Sequence, residues 1–253
     1  MAADYARALV RRHPLQRRPS PSRGASALLH VLGLASFAYN FTYLFTNPNP
    51  INASYGWHLQ YLTIIGLSLA AVTFFIGLLA DLTMSRWLFA AKNALSVASA
   101  PMECLISMLY WGLRAIDPKL VLPGWTPPMA LHTDLGFHAV PAIALVTDLL
   151  FFSPPYTIAF VPALGLSGFI AFGYWLWIER CYQYNKFYPY PIFTLLSTTE
   201  RIGLFAGSAV LMTLSTGALI WTYQLVNGIE DTGVHTNGRI RKPRAYSGNV
   251  KGQ

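Results

Sequence analysis

Residues 57–80 read WHLQYLTIIGLSLAAVTFFIGLLA and contain no Asp, Glu, Lys or Arg. A helix needs roughly 20 apolar residues to cross the hydrocarbon core of a bilayer, so this stretch is long enough to span it. Comparable stretches occupy most of the remaining chain: 25–46, 93–113, 131–152, 156–178 and 202–226. The sequence therefore predicts an all-α fold, a polytopic membrane helix bundle of about six transmembrane helices.

The composition agrees with a membrane protein, because 54% of the 253 residues are hydrophobic and only 11% are charged. Six spans leave too little chain for a folded soluble domain. We therefore expect one six-span membrane domain over 25–226. The basic segments 1–24 and 227–253 are polar tails that are expected to be disordered.

The formal net charge of +8 comes mainly from the two ends of the chain. Lys and Arg prefer the cytoplasmic side of membrane proteins, so both tails are predicted to be cytoplasmic, as an even number of spans permits. The link at 81–92 adds Arg86 and Lys92 to the same side, whereas the link at 47–56 has neither Lys nor Arg. The pattern predicts an integral protein of the endoplasmic reticulum or plasma membrane.

Basic tails beside a membrane predict contact with anionic lipid headgroups. They do not predict a nucleic-acid site, because the charges are not gathered on a folded basic face. The two cysteines, Cys104 and Cys181, fall at different predicted depths, so we expect no disulfide. No motif in the chain calls for a cofactor.

Two reactive side chains, Thr63 and His138, are predicted to lie at one depth. Each lies six or seven residues into its span, counted from residues 57 and 131. At 1.5 Å per residue both lie roughly 10 Å below the outer end of the helix. A hydroxyl and an imidazole at one depth fit a nucleophile and its general base. The alternatives are a Thr bonded to its own helix and a His that only joins helices.

Asp134 and Glu103 are the acids closest to this pair in the predicted spans. Asp134 lies one helical turn before His138, where it can orient the imidazole or simply favour the helix start. Glu103 lies near the middle of the third span and should be paired or protonated. Pro141 predicts a kink beside His138. A metal centre using His58, His132 and His138 is a further alternative, but these residues lack a metal-binding spacing and no metal is predicted.

Short motifs of the chain match one known family in order and spacing. The matching stretches are Tyr55-Gly56, Tyr61-Leu62-Thr63, Ala80-Asp81-Leu82, Ala100-Pro101, Ile116-Asp117, Leu122-Pro123, Gly136-Phe137-His138-Ala139-Val140-Pro141 and Phe187-Tyr188-Pro189. The chain resembles the androgen-induced protein and androgen-dependent TFPI-regulating protein family of multipass hydrolases. The resemblance implies intramembrane hydrolysis of fatty acid esters of hydroxy fatty acids, with Thr63 as nucleophile and His138 as its partner.

The chain departs from the family pattern at three positions. Leu135 stands where an Asn-His pair commonly precedes the Gly, Gly66 where an acid often follows the Thr, and Glu103 where a small residue is usual. The expected function is a threonine hydrolase of such lipid esters, with a lipid ester as the membrane-embedded partner. The alternative is a non-catalytic lipid-binding scaffold or receptor in which Thr63 and His138 only join helices.

Overall fold

The computed structural model describes residues 12–124 and 129–229, and within them the fold is all-α. A short 3₁₀ turn at Trp57–Gln60 precedes the second helix. The helices are α1 (Ala25–Thr46), α2 (Leu62–Thr83), α3 (Arg86–Ile116), α4 (Leu131–His138), α5 (Val140–Phe152), α6 (Phe160–Asn185), α7 (Ile192–Leu195) and α8 (Thr198–Asn227).

Five of these helices are long and apolar enough to cross a membrane by themselves: α1, α2, α3, α6 and α8. The pair α4 and α5 meets the same criterion together, with a 48° bend between its halves. The predicted membrane helix bundle is confirmed, with five spans, or six when the bent pair counts as one. We call the end that carries residues 47–61 the outer end, after the predicted topology.

The core lies where α1, α2, α3 and α5 pack together. Many exposed positions of these helices are also apolar, as expected where a bilayer offers no partner to polar groups. Close packing depends on glycines of α2 and α4. A Cβ on Gly66 would lie 2.6 Å from Oε1 of Glu103, and one on Gly136 would lie 2.6 Å from Oδ1 of Asn40.

The turn between α2 and α3 is much shorter than the predicted link at 81–92. Met84 closes α2 in a left-handed conformation, and the Ser85 hydroxyl accepts a hydrogen bond from the backbone N–H of Leu88 at 3.3 Å. Such an N-cap starts a helix. Lys92 therefore lies inside α3 and is completely buried, so its predicted place among the cytoplasmic loop charges was wrong.

The inner end of the bundle holds a buried ionic cluster, which we define as His30, Asp81, Lys92 and Asp148. Lys92 Nζ lies 2.6 Å from a carboxylate oxygen of Asp148. His30 Nδ1 lies 2.8 Å from Asp81, and its Nε2 lies 3.3 Å from Asp148. The cluster joins α1, α2, α3 and α5, and each of its four residues is completely buried. Paired in this way, the charges avoid the cost of isolated ions in an apolar interior.

Residues 12–24 pack against this inner end, which corrects their prediction as part of a disordered tail. The backbone N–H of Ser22 donates to Asp81 at 2.8 Å, and that of Arg18 donates to the carbonyl of Phe151 at 2.8 Å. Gln16 is 1% exposed. Most of the predicted tail at 227–253 lies outside the described residues. Cys104 and Cys181 are free, as predicted.

Candidate functional site

His138 is the last residue of α4, at the bend of the broken span. Pro141 lies in the first turn of α5, and a proline cannot continue the hydrogen bonding of a preceding helix. The backbone at Ala139 is accordingly non-helical, and the bend predicted beside His138 is present. The carbonyl of His138 accepts a hydrogen bond from Nε1 of Trp111 at 3.2 Å. This contact fixes the end of α4 against α3.

Asp134 orients the imidazole of His138. His138 Nδ1 lies 2.9 Å from Oδ1 of Asp134, one turn earlier on the same helix, and the carboxylate is only 2% exposed. The Tyr110 hydroxyl donates to Oδ1 of Asp134 at 2.7 Å, and Arg114 forms an ion pair with Oδ2. The carboxylate is thereby held by two groups of α3. Asp134 thus contacts the imidazole that it was predicted to orient, and it does more than begin a helix.

The Tyr110 ring also fixes the plane of the imidazole. Its centroid lies 3.4 Å from that of His138, with an angle of 4° between the two planes. The guanidinium of Arg114 covers the Tyr110 ring at 5.6 Å and donates to its hydroxyl at 2.8 Å. With Nδ1 directed to Asp134, the remaining nitrogen of His138, Nε2, has no hydrogen-bond partner in the described part of the chain. Nε2 is therefore the ring nitrogen that can contact a ligand in this site.

Thr63 lies nearer the helix start than residue counting predicted. It is the second residue of α2, because Trp57–Gln60 forms a separate 3₁₀ turn and not the first turn of the span. Its side chain is buried, and its hydroxyl oxygen lies 3.4 Å from the hydroxyl of Tyr190. The prediction of equal depth thus rested on a wrong helix start. The structure instead relates Thr63 and His138 through a shared cavity.

This outer cavity has a volume of about 120 Å³ and is lined by both Thr63 and His138. Its wall combines aromatic rings with uncharged polar side chains of the outer loop, including Asn47, Asn49 and His58. Burial lowers the pKa of His58 to about 4, so this imidazole is neutral at physiological pH. No hydrogen bond joins Thr63 to His138 among the described residues. The cavity lies at the two candidate catalytic side chains, and its mostly apolar wall includes a few polar groups.

A second cavity, which we call the inner cavity, has a volume of about 90 Å³, begins at Thr63 and extends between α3, α6 and α8. Its wall is almost entirely apolar, with Met102, Leu105 and Met212 among its side chains. Thr63, Tyr110 and Tyr190 line both cavities, whereas His138 lines only the outer one. The apolar lining of the inner cavity suits a lipid-like ligand.

The histidines proposed as an alternative metal centre make separate contacts. His58 Nε2 lies 3.2 Å from Asn52, His132 Nε2 lies 2.9 Å from the Tyr39 hydroxyl, and His138 is bound to Asp134. In residues 12–124 and 129–229, no group of three or more His, Cys, Asp or Glu side chains is arranged to hold a metal ion. The described geometry gives no support to the metal alternative.

Glu103 is buried near Thr63 but does not pair with another group. Its Oε1 has no hydrogen-bond partner in the described residues, so of the two expected outcomes, pairing and protonation, the geometry does not support pairing. Its carboxyl occupies the space left by the missing side chain of Gly66 on the neighbouring helix. Two of the departures from the family pattern, Gly66 and Glu103, are therefore in direct contact.

Comparison with known proteins identifies the family. The model of the FAR-17a/AIG1-like proteins matches residues 25–224, which reach from the start of α1 into the last turns of α8. The chain belongs to this family. A UPF0641 membrane protein of Schizosaccharomyces pombe is 36% identical over 184 residues, which cover 72% of this chain and 82% of the relative. No solved structure matches the chain.

Three residues of the site in this FAR-17a/AIG1-like chain were missed by sequence reasoning: Tyr110, Arg114 and Tyr190. Tyr110 and Arg114 lie four residues apart near the outer end of α3, a spacing that brings two side chains together on one helix face. Tyr190 is 127 residues from Thr63 and lies in the connection between α6 and α7, where no local pattern marks it.

Proposed function

We propose that this chain is an intramembrane hydrolase of lipid esters, in which Thr63 is the nucleophile and His138 the general base. The observation that carries the proposal is one cavity lined by a buried threonine and by an imidazole that a buried carboxylate orients. A nucleophile, a base and an orienting acid are the elements of an acyl-transfer site. The family resemblance favours fatty acid esters of hydroxy fatty acids as the substrate class.

In the proposed reaction, Thr63 Oγ1 attacks the ester carbonyl carbon while its proton passes to Nε2 of His138. The absence of a direct hydrogen bond between them is compatible with this role, since catalytic hydrogen bonds often tighten only when substrate binds, or run through one water. The protonated His138 then donates to the departing alkoxide. Water releases the acyl group from Thr63 with the same imidazole as base.

Tyr190 is the group best placed to stabilise the negative charge that develops on the carbonyl oxygen. Its hydroxyl lies 3.4 Å from Thr63 Oγ1, and its ring packs against Tyr61 and Phe193. Burial raises the pKa of Tyr190, so the phenol keeps its proton and remains a donor. A preorganised donor directed at the developing oxyanion is usually among the larger catalytic contributions.

The proposal is tested by Thr63→Ala and His138→Ala in purified protein. Each change should lower kcat for lipid ester hydrolysis by roughly 10⁴-fold or more, because catalytic groups that act together fail together. Thr63→Ser should keep part of the turnover, since it retains the hydroxyl. The matched control is Thr73→Ala on the same helix. The Thr73 hydroxyl bonds the carbonyl of Leu69 and the Ser99 hydroxyl. Substantial activity in either alanine variant removes that residue from the mechanism.

A lipid-binding scaffold or receptor is the second candidate, and the inner apolar cavity favours it, since such a cavity can simply hold a lipid. A fluorophosphonate probe separates the two functions, because only an activated hydroxyl reacts with it. Labelling of Thr63 that requires His138 supports the hydrolase. A protein that binds lipid esters but neither reacts with the probe nor turns them over is the scaffold.

A further inference from the structure

The two cavities meet at the candidate nucleophile but differ in which catalytic group they contain. Thr63 and Tyr190 line both of them, and His138 lines only the outer one. An ester bound at Thr63 has two halves that leave the carbonyl carbon in different directions. The position of His138 decides which half enters which cavity.

Protonation of the leaving group determines where the alcohol half of the ester lies. As the bond between the carbonyl carbon and the alcohol oxygen breaks, that oxygen takes the electron pair and needs the proton that His138 received from Thr63. The alcohol half must therefore lie on the side of His138. Resting on the proposed hydrolase function, we propose that the outer cavity holds the alcohol portion of the substrate and the inner cavity holds its acyl chain.

The walls of the cavities agree with this assignment. An acyl chain has no hydrogen-bonding group beyond its carbonyl, and the inner wall of methionine, leucine and other apolar side chains offers it burial. The outer wall is also mostly apolar, but it adds Asn47, Asn49 and neutral His58, which can bind a polar group of the alcohol half. Among the described residues that line the outer cavity there is no Lys or Arg. The site therefore fits a long-chain acyl ester whose alcohol half carries a polar group.

The same geometry provides a path for the water of the second step. Once the alcohol leaves, the outer cavity is open beside His138, while the acyl chain still fills the inner one. Water there loses a proton to His138, its oxygen bonds to the acyl carbon, and the bond from that carbon to Thr63 Oγ1 breaks. The proton then returns to Thr63, and the products are the alcohol and a fatty acid.

A cavity-filling variant tests the assignment. Ala209 of α8 lines the inner cavity, whereas Ala206 on the same helix is exposed on the outside of the bundle. The substrates are 4-methylumbelliferyl palmitate, 4-methylumbelliferyl butanoate and hexadecyl butanoate. Ala209→Phe should lower kcat/KM for the palmitate more than tenfold, since each methylene kept out costs about fourfold. Both butanoates should stay within about twofold of wild type, and Ala206→Phe should leave all three near wild type.

The reverse selectivity, with hexadecyl butanoate impaired and the palmitate unchanged, overturns the assignment. Equal loss of both long-chain substrates also overturns it. A wild-type protein that cleaves none of the three refutes the proposed hydrolase function instead. The assignment is then measured by binding, with a palmitate ester that carries a diazirine at the end of its acyl chain. Cross-links to residues 204–212 support the assignment, and cross-links confined to residues 43–61 overturn it.

Discussion

Tyr190→Phe removes one oxygen atom from the candidate site and leaves the ring in place. That hydroxyl lies 3.4 Å from Thr63 Oγ1, and it also interacts with the backbone of Leu62 and Thr63 at the start of α2. Loss of an oxyanion donor lowers kcat by about 10²–10³-fold. A separation of 3.4 Å from the nucleophile is longer than an ideal donor contact, so we expect the lower end of this range, about 100-fold. KM should change little, because the donor acts mainly on charge that develops after binding.

The same change should hardly affect stability. The ring keeps its edge-to-face contacts with Tyr61 and Phe193, and the hydrogen bonds lost with the hydroxyl contribute about 1 kcal/mol. Steady-state hydrolysis of a lipid ester and thermal unfolding of the same preparations check both expectations. Tyr188→Phe is the matched control, because its hydroxyl bonds Glu179 at 3.0 Å, away from Thr63. A Tyr190→Phe enzyme with kcat within threefold of wild type would refute the oxyanion role.

Three further predictions concern acid–base chemistry, stability and topology. Activity should fall on acidification, because protonated His138 cannot act as base. Asp134→Asn should move this acidic limb of the pH–rate profile to lower pH, since a carboxylate favours the neighbouring imidazolium. An acidic limb that does not move in this variant would show that Asp134 is not a partner of His138, and the site would then be a Thr63–His138 dyad. Lys92→Met should cost about 3–5 kcal/mol by leaving Asp148 incompletely paired, and adding Asp148→Leu should restore much of the loss in thermal unfolding. In a protease protection assay, tags at both termini should be accessible from the cytoplasm. If only one of the two tags is accessible, α4 and α5 do not form a span.

The number and order of the spans could be predicted because lipid leaves few ways to satisfy the backbone. A chain that crosses a bilayer must bond its own amides, so a long apolar run is almost always a helix. Helix starts are harder to predict, because apolar residues also occur in the turns that precede a span. Gly56 takes a left-handed conformation before the 3₁₀ turn at Trp57–Gln60, and hydropathy does not distinguish that turn from the start of α2.

The site could be predicted only where its residues share a helix. Asp134 and His138 lie four residues apart on α4, and this spacing brings their side chains together. Tyr110 and Arg114 reach Asp134 from α3, and Tyr190 reaches Thr63 from a connection much later in the chain. Such contacts follow from packing between helices, which leaves no periodic signal in a single sequence.

The burial of Lys92 also could not be predicted from its own segment. Near the end of an apolar span, a lysine is usually a surface charge on a link, and its own segment gives no reason to expect burial. Its burial depends on Asp148 and Ser153, whose side chains lie 2.6 Å and 2.8 Å from its ammonium nitrogen. Both belong to a part of the chain that follows more than 50 residues later.

That separation has a consequence for synthesis of the protein. Asp148 is made 56 residues after Lys92, which at 5–20 residues per second is a delay of about 3–11 s. During that time α3 has entered the membrane while its ammonium group still lacks the later carboxylate. The long side chain can reach toward the headgroups, so α3 need not take its final depth and rotation until α5 arrives. We therefore expect α3 to take its final position only after Asp148 has been synthesised.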